Sequence, residues 1–315
     1  MRALFFVVAI LAALYGGYWF VGSSQLESRA EAALADLRAR DWQVDYADLA
    51  TAGFPSRFDT TVTDLSLASP DGRFAWRAPF VQLFALSYRP HEVIAAWPPE
   101  QRVTVGGQTL DVAAQDLRAS ATFSLSPDLP LDHAALESGP AALSSEAGWG
   151  LGFDRLLAAI RRAGDGTPNA YDLHLEANGL RPLSVSADLG LLRLDGKVTL
   201  DRPLDRHAPA PRLRALALRE ARLAQGAVAL TATGDLAPDA QGFLTGTLML
   251  RAENWRGLLD LLQAAGLLVF DQGSFLAGAL EPLARGGNDI EVPLTFRDGQ
   301  VEVLGLVLLQ APSVL

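Results

Sequence analysis

The chain has no cysteine among its 315 residues, four histidines, two methionines and, at Lys197, a single lysine. Disulfide frameworks and thiolate chemistry are therefore excluded, and with them the small stapled scaffolds of secreted proteins. A cysteine-free chain suits an oxidising compartment and equally permits the cytosol, so this absence does not decide location. With one lysine among 26 basic residues, the rest of the positive charge is arginine, yet no Arg-rich cluster occurs. The 36 acidic residues bring the net charge to −10, which argues against nucleic acid or another polyanion as partner. Beyond the first two dozen residues there is no apolar run of spanning length, so a polytopic membrane protein is excluded. The 50% hydrophobic content excludes a disordered chain. Gly 28 and Pro 18 are slightly rich, as in turn-dense β proteins.

The exception is the start. Ala3 to Val21 (ALFFVVAILAALYGGYWFV) carries no charge, follows Arg2 and closes on Tyr18, Trp19 and Phe20. Nineteen helical residues cover roughly 28 Å, close to the hydrocarbon thickness of a bilayer. Aromatic rings favour the membrane interface and Arg2 marks the cytoplasmic end, which places the chain after Gly22 outside the cytoplasm. A cleaved signal peptide is the competing reading, since Val21-Gly22-Ser23 offers a small-residue peptidase site. In Ser24 to Arg40 the residues Leu26, Ala30, Ala33, Leu34 and Leu37 recur at helical spacing, the pattern of a stalk helix leaving the membrane.

After residue 41 the period shortens to two. Strands are expected at Arg57–Leu67, Arg73–Arg77, Phe80–Tyr88 and, in two or three pieces, over 101–126, with Asp71-Gly72 and Gly106-Gly107 as turns. Proline bounds both ends of 90–99, which is left unassigned. Residues 127–169 read as a loop with a short helix at Asp154–Arg162. From Ala170 strands resume as a meander: Tyr171–Ala177, Leu183–Leu189, Leu191–Leu200 with a bulge or turn at Asp195-Gly196, Leu213–Leu223, Val228–Leu236 and Gly242–Leu250. Asn254 caps a helix at Trp255–Ala265 with Gly266 as its stop, a second helix spans about Phe275–Ala284, and Asp298-Gly299 turns Ile290–Phe296 into Val301–Leu309, bulged at Gly305-Leu306. The fold class is mainly β (α+β): extended antiparallel meander sheets, open to curling into an apolar groove, with a few short helices and one N-terminal transmembrane helix. The chain divides into an anchor or signal peptide (1–23), a stalk (24–41), a first β lobe (42–126), the loop and short helix (127–169) and a second β lobe with two helices (170–315).

Several short patterns occur in a fixed order: Trp42 after the stalk, the turn Gly53-Phe54-Pro55-x-Arg57, Trp76-x-Ala78-Pro79, Tyr88-x-Pro90 and the closing Asp298-Gly299 hairpin. In this order they resemble the alphaproteobacterial family domain of unknown function 2125, over nearly the whole chain. The C-terminal unit is also similar, at the level of fold, to modules of AsmA-like envelope proteins. That second resemblance implies long curled sheets with an apolar groove and a role in carrying lipid between membranes.

Enzyme constellations are poor. His91, His133, His174 and His207 are far apart in sequence, and none has the i, i+4 partner of a helical metal site. His91-Glu92 begins an HExxH pattern that Ala95 breaks. There is no G-x-S-x-G elbow, no Walker loop and no dinucleotide fingerprint, and Gly148-x-Gly150-x-Gly152 lacks a nearby lysine. No catalytic, metal or cofactor residue is assigned and no cofactor is expected. The apolar excess in Leu191-Leu192-x-Leu194 and Val303–Leu309 fits either a filled core or a groove for acyl chains. The function expected is that of a single-span inner-membrane protein with a non-catalytic periplasmic β domain that binds or helps transfer lipid. A membrane-anchored scaffold for envelope proteins is the alternative, and an envelope hydrolase comes third.

Overall fold

The computed structural model describes residues 2–183, 188–207, 211–265, 277–278, 280–284, 287–303 and 306–312. They fall into two compact units: Met1–Thr122 with Leu143–Gly148, and Phe123–Ala142 with Trp149–Leu315.

The first unit opens with α1, Arg2–Arg38, a single 37-residue helix in which the apolar run and the stalk are continuous. Leu4–Arg38 is long and apolar enough to cross a membrane, and only 6% of its most apolar stretch is buried in the protein. Eight strands follow: β1 (Gln43–Asp45), β2 (Asp48–Ala52), β3 (Arg57–Ala68), β4 (Phe74–Leu86), β5 (Arg89–Ala96), β6 (Glu100–Val105), β7 (Gln108–Ala114) and β8 (Arg118–Phe123). Their pairing is antiparallel throughout. β3 holds β1 and β2 on one side and β4 on the other, β4 pairs with β5 and β6, β5 with β8, and β6 with β7.

Two sequence expectations change here. Arg73–Arg77 and Phe80–Tyr88 are one strand, β4, because Pro79 is accommodated within it. Thr63 pairs with Phe80 and Leu65 with Ala78, so proline, with no N–H to donate, stands opposite Asp64, whose φ of 51° lets the ladder skip that pair. Most of the unassigned stretch 90–99 belongs to β5, whose ladder steps from Leu86↔Arg89 to Ala85↔Val93 and leaves Pro90 outside the pairing, and residues 97–99 lead out of it. The stalk, too, is no free-standing rod. The less exposed positions of α1, Gly16, Trp19, Gly22, Ser23, Glu27, Ala30, Leu34 and Leu37, recur at helical spacing, and the helix lies against β1 to β3. Glu27 Oε1 accepts the Thr51 amide at 2.6 Å, and Arg38 Nη2 donates to the Val44 carbonyl at 2.8 Å.

The second unit begins with β9 (Leu131–Ser138); β10 (Ala141–Ser145) passes into the first unit. It continues with β11 (Gly150–Phe153), β12 (Arg155–Arg162), β13 (Ala170–Pro182), β14 (Gly190–Leu200), β15 (Leu213–Gln225), β16 (Val228–Pro238) and β17 (Leu244–Glu253). Then come α2 (Trp255–Ala264), β18 (Ile290–Arg297), β19 (Gln300–Val303) and β20 (Leu306–Gln310). From β12 to β17 each strand pairs antiparallel with the next, β17 pairs with β18, and so on to β20: the meander expected from sequence. The ladder slips between Asp195 and Gly196, where a bulge was expected.

Residues 127–169 are corrected from loop and helix to strands. The segment read as a helix, Asp154–Arg162, contains β12, held between β9 and β13 by continuous ladders. Val301–Leu309 is not one bulged strand but β19 and β20, paired antiparallel; residues 304–305 lie outside the described residues. Asn254 caps α2 as expected, its side chain accepting the Gly257 amide at 3.3 Å. Residues 277–278 and 280–284 are helical, whereas Gly266, Phe275 and most of the Leu183–Leu189 strand lie outside the described residues.

Candidate functional site

The meander separates its side chains by chemistry. Because each ladder is in register, side chains stack in rows that run across the strands, and alternate rows face opposite ways. One central row is Leu136, Ala158, Leu175, Leu194, Ala221, Ala232, Leu250 and Val292, every member apolar over eight strands. The row beside it on the opposite face is Glu137, Leu157, Glu176, Arg193, Arg222, Thr231, Arg251 and Glu291. A sheet sealed into a filled core would bury the first row. Yet only Val292 in it is buried, and the other seven side chains are partly exposed.

Both ends of this apolar face are closed. At one end α2 packs Trp255 and Leu258 against Ala252, Ile290 and Leu230, while Leu180, Leu189 and Ala265 gather against Leu192 and Leu223. At the other, Leu236, Leu244, Leu248, Phe296 and Val301 form a cluster with Leu216 and Leu218. Among the described residues the middle of the face is thus a strip of leucine and alanine between two packed margins.

The opposite face holds an open cleft of about 640 Å³, lined by His133, Ala135, Ala159, Arg161, Asp172, His174, Asp195 and Arg219 among others. Its charges are matched internally. His174 Nδ1 lies 2.7 Å from Asp195 Oδ1, Arg219 bonds Asp172 and donates to the Gly196 carbonyl at 2.8 Å, and Arg161 reaches Asp172 at 3.9 Å. One row over, the Asn178 amide and the Arg193 guanidinium, at 3.0 and 2.7 Å, hold the Glu176 carboxyl below its ordinary 4.5. The cleft's described lining carries no hydroxyl or thiol to be activated. Among the described residues no three His, Asp or Glu side chains converge as a metal site. The meander brings His133 and His174 to one cleft although they are 41 residues apart, which their spacing could not reveal.

In the first unit the family-motif positions gather at two places. Gly53, Phe54, Pro55 and Arg57 form the β2–β3 turn, and this turn is docked on α1. Trp19 is buried, donates its Nε1 to the Arg57 carbonyl at 2.7 Å, and meets the Phe54 and Phe58 rings at 5.4 and 6.0 Å between centroids. Phe20 stacks on Phe54 at 5.7 Å. The helix comes close enough for this because it presents glycine: a Cβ on Gly22 would sit 2.7 Å from the Phe58 ring. Gly53 has φ +99°, and a Cβ there would lie 2.9 Å from the Arg57 carbonyl oxygen. Tyr88 follows Ser87 in the neighbouring β4–β5 turn and is exposed, and Pro90 comes two residues later. Ser87 itself joins the two turns and the helix. Its hydroxyl bonds Tyr15 Oη at 2.7 Å and the Pro55 carbonyl at 3.2 Å, its carbonyl accepts Tyr18 Oη at 2.6 Å, and its amide donates to the Ser56 carbonyl at 2.9 Å.

Trp42, Trp76 and Pro79 belong elsewhere, toward the other end of β3 and β4. Trp42 packs on Phe74 at 5.7 Å, and Trp76 Nε1 donates to Gln101 Oε1 at 3.0 Å. Asp298 and Gly299 make the β18–β19 turn of the second unit, both at positive φ. In the sequence Tyr18, Trp19 and Phe20 read as rings for a membrane interface; that they, with Tyr15, hold the β2–β3 and β4–β5 turns was not legible there.

No curated protein and no solved structure matches the chain significantly. A family model does, over residues 19–312, from the docking tryptophan to the end of the last described segment. The chain belongs to the family described as "Uncharacterized protein conserved in bacteria (DUF2125)".

Proposed function

We propose that the protein is a membrane-anchored, non-catalytic envelope protein whose second unit lodges acyl chains, of lipid or another apolar envelope component, along the apolar row of its meander. α1 is the anchor in the bacterial inner membrane, and the β units lie on the periplasmic side. The observation that carries this reading is the central row of eight apolar residues, seven of them partly exposed, between packed margins. Such a surface gains about 0.8 kcal/mol per methylene buried and needs no nucleophile, metal or cofactor. The AsmA-like pattern expected from the sequence of the C-terminal unit would serve the same role.

The test is native mass spectrometry of the full chain released from a mild detergent, beside the variants Leu194→Asp and Lys197→Gln. Phospholipid is expected on the parent and on Lys197→Gln, and absent from Leu194→Asp at unchanged thermal stability of the first unit. Lipid-free parent protein that captures one defined envelope protein would replace this account with a scaffold, and a carboxyl-terminal reporter active in the cytosol would reject the periplasmic placement.

A further inference from the structure

We propose that the β2–β3 and β4–β5 turns of the first unit are set into the lipid interface of the membrane that α1 crosses, so that the body rests in the bilayer surface with no stalk between them. The proposal rests on the reading of α1 as a membrane span and goes beyond it by assigning a second membrane-contacting element.

The first argument is length. Contact between helix and body does not begin after the apolar run but within it, at Tyr15, Gly16, Tyr18 and Trp19. Thirteen residue steps separate Arg2 from Tyr15, a rise of about 20 Å, whereas the hydrocarbon core is about 30 Å thick. With Arg2 at one boundary, Tyr15 stops roughly 10 Å short of the other, and residues near Gly22 reach it. The turns bonded to Tyr15 and Tyr18 share their depth. Helix tilt shortens the vertical rise and sinks the turns further.

The second argument is what the turns expose. Phe54 is 56% and Tyr88 63% exposed, beside Phe20 at 63%. In water these rings are an uncovered aromatic patch; just inside the hydrocarbon boundary, below the headgroups, they are where Phe and Tyr are favoured. Arg57 and Arg89 flank them, exposed and paired with Asp59 and Glu92, with stems long enough to raise their heads toward the headgroups.

The third argument is the backbone. Lipid tolerates turns only when their polar groups are satisfied within the protein. Here the Arg57 and Ser87 carbonyls are taken by Trp19 Nε1 and Tyr18 Oη, the Pro55 carbonyl by the Ser87 hydroxyl, and the Gly53 carbonyl by the Arg57 amide at 2.9 Å. The aromatic side chains of α1 thus satisfy carbonyls that water would otherwise serve.

The absence of cysteine makes the experiment clean. Single variants Tyr88→Cys, Asp71→Cys and Val8→Cys of the full chain are labelled with an environment-sensitive fluorophore and reconstituted in phosphatidylcholine and phosphatidylglycerol vesicles containing nitroxide lipids. The Tyr88 site is expected to be blue-shifted and quenched at least twofold by shallow nitroxides, Val8 by deep ones, and Asp71, on the β3–β4 hairpin tip, by neither. Arg89→Cys, an exposed neighbour, repeats the reading if Tyr88→Cys folds poorly. A Tyr88 or Arg89 label that behaves like Asp71 while Val8 is quenched overturns the proposal and leaves the span intact. An unquenched Val8 label overturns both.

Discussion

Trp19 is the residue on which helix and body depend, and its removal gives a prediction with a magnitude. It is 6% exposed, packs on three phenylalanine rings and donates to the Arg57 carbonyl. Truncating a buried tryptophan to alanine costs about 3–5 kcal/mol, and here the whole cost falls on the docked state. The ratio of docked to undocked helix should therefore fall by two to three and a half powers of ten, at about 1.4 kcal/mol per power. Trp19→Phe keeps most of the apolar area and removes the donor, leaving a carbonyl unpaired at a cost of about 1–3 kcal/mol. Hydrogen–deuterium exchange of the full chain in nanodiscs reads the difference. The amide of Thr51 reports docking directly, since it bonds Glu27 of the helix, and those of Arg57 and Ser87, bonded to Gly53 and Ser56, report the order of the turns that the helix covers. Exchange there should accelerate by about a hundredfold or more in Trp19→Ala and by about tenfold in Trp19→Phe. Unchanged rates in Trp19→Ala would show that the helix and the β2–β3 turn are held together by something else.

Two further outcomes are expected. Gly53→Ala forces a side chain into a left-handed backbone against the Arg57 carbonyl, so it should lower the thermal midpoint by the equivalent of about 1–3 kcal/mol, measured by circular dichroism, and accelerate exchange in the same turn. Because Asn178 and Arg193 depress the Glu176 pKa in the folded state, that carboxylate stabilises the second unit at pH above its ordinary 4.5 and loses its contribution as pH falls through the lower folded value. Urea midpoints of parent and Glu176→Gln should differ near neutrality and converge in strong acid; a gap that persists in acid would contradict the ion-pair assignment.

The meander was legible because its turns announce themselves: Asp71-Gly72, Gly106-Gly107 and Asp298-Gly299 all turn where expected. What was misread had a local reason to be. Arg155 to Arg162 (RLLAAIRR) is rich in leucine and alanine with no polar alternation, so its intrinsic preference is helical. It is a strand because β9 and β13 pair with it from both sides, and its Leu156, Ala158 and Ile160 supply one face while Leu157 and Ala159 sit on the other. Pro79 broke one strand into two on paper, since nothing local shows that Asp64 across the ladder adopts the left-handed conformation that absorbs it. The apolar row itself was half visible. Leu191-Leu192-x-Leu194 showed an apolar excess, but that its neighbours align into an unbroken row depends on the register of seven ladders, which no single segment encodes.

Rows that cross strands have an unusual metric. Eight strands about 4.8 Å apart make the central apolar row about 34 Å from end to end, a dimension fixed by how many hairpins the chain contains and not by how long any strand is. Inserting or deleting one hairpin would change that span by about 10 Å while leaving every other position in place. The sheet is therefore a ruler graduated in strands.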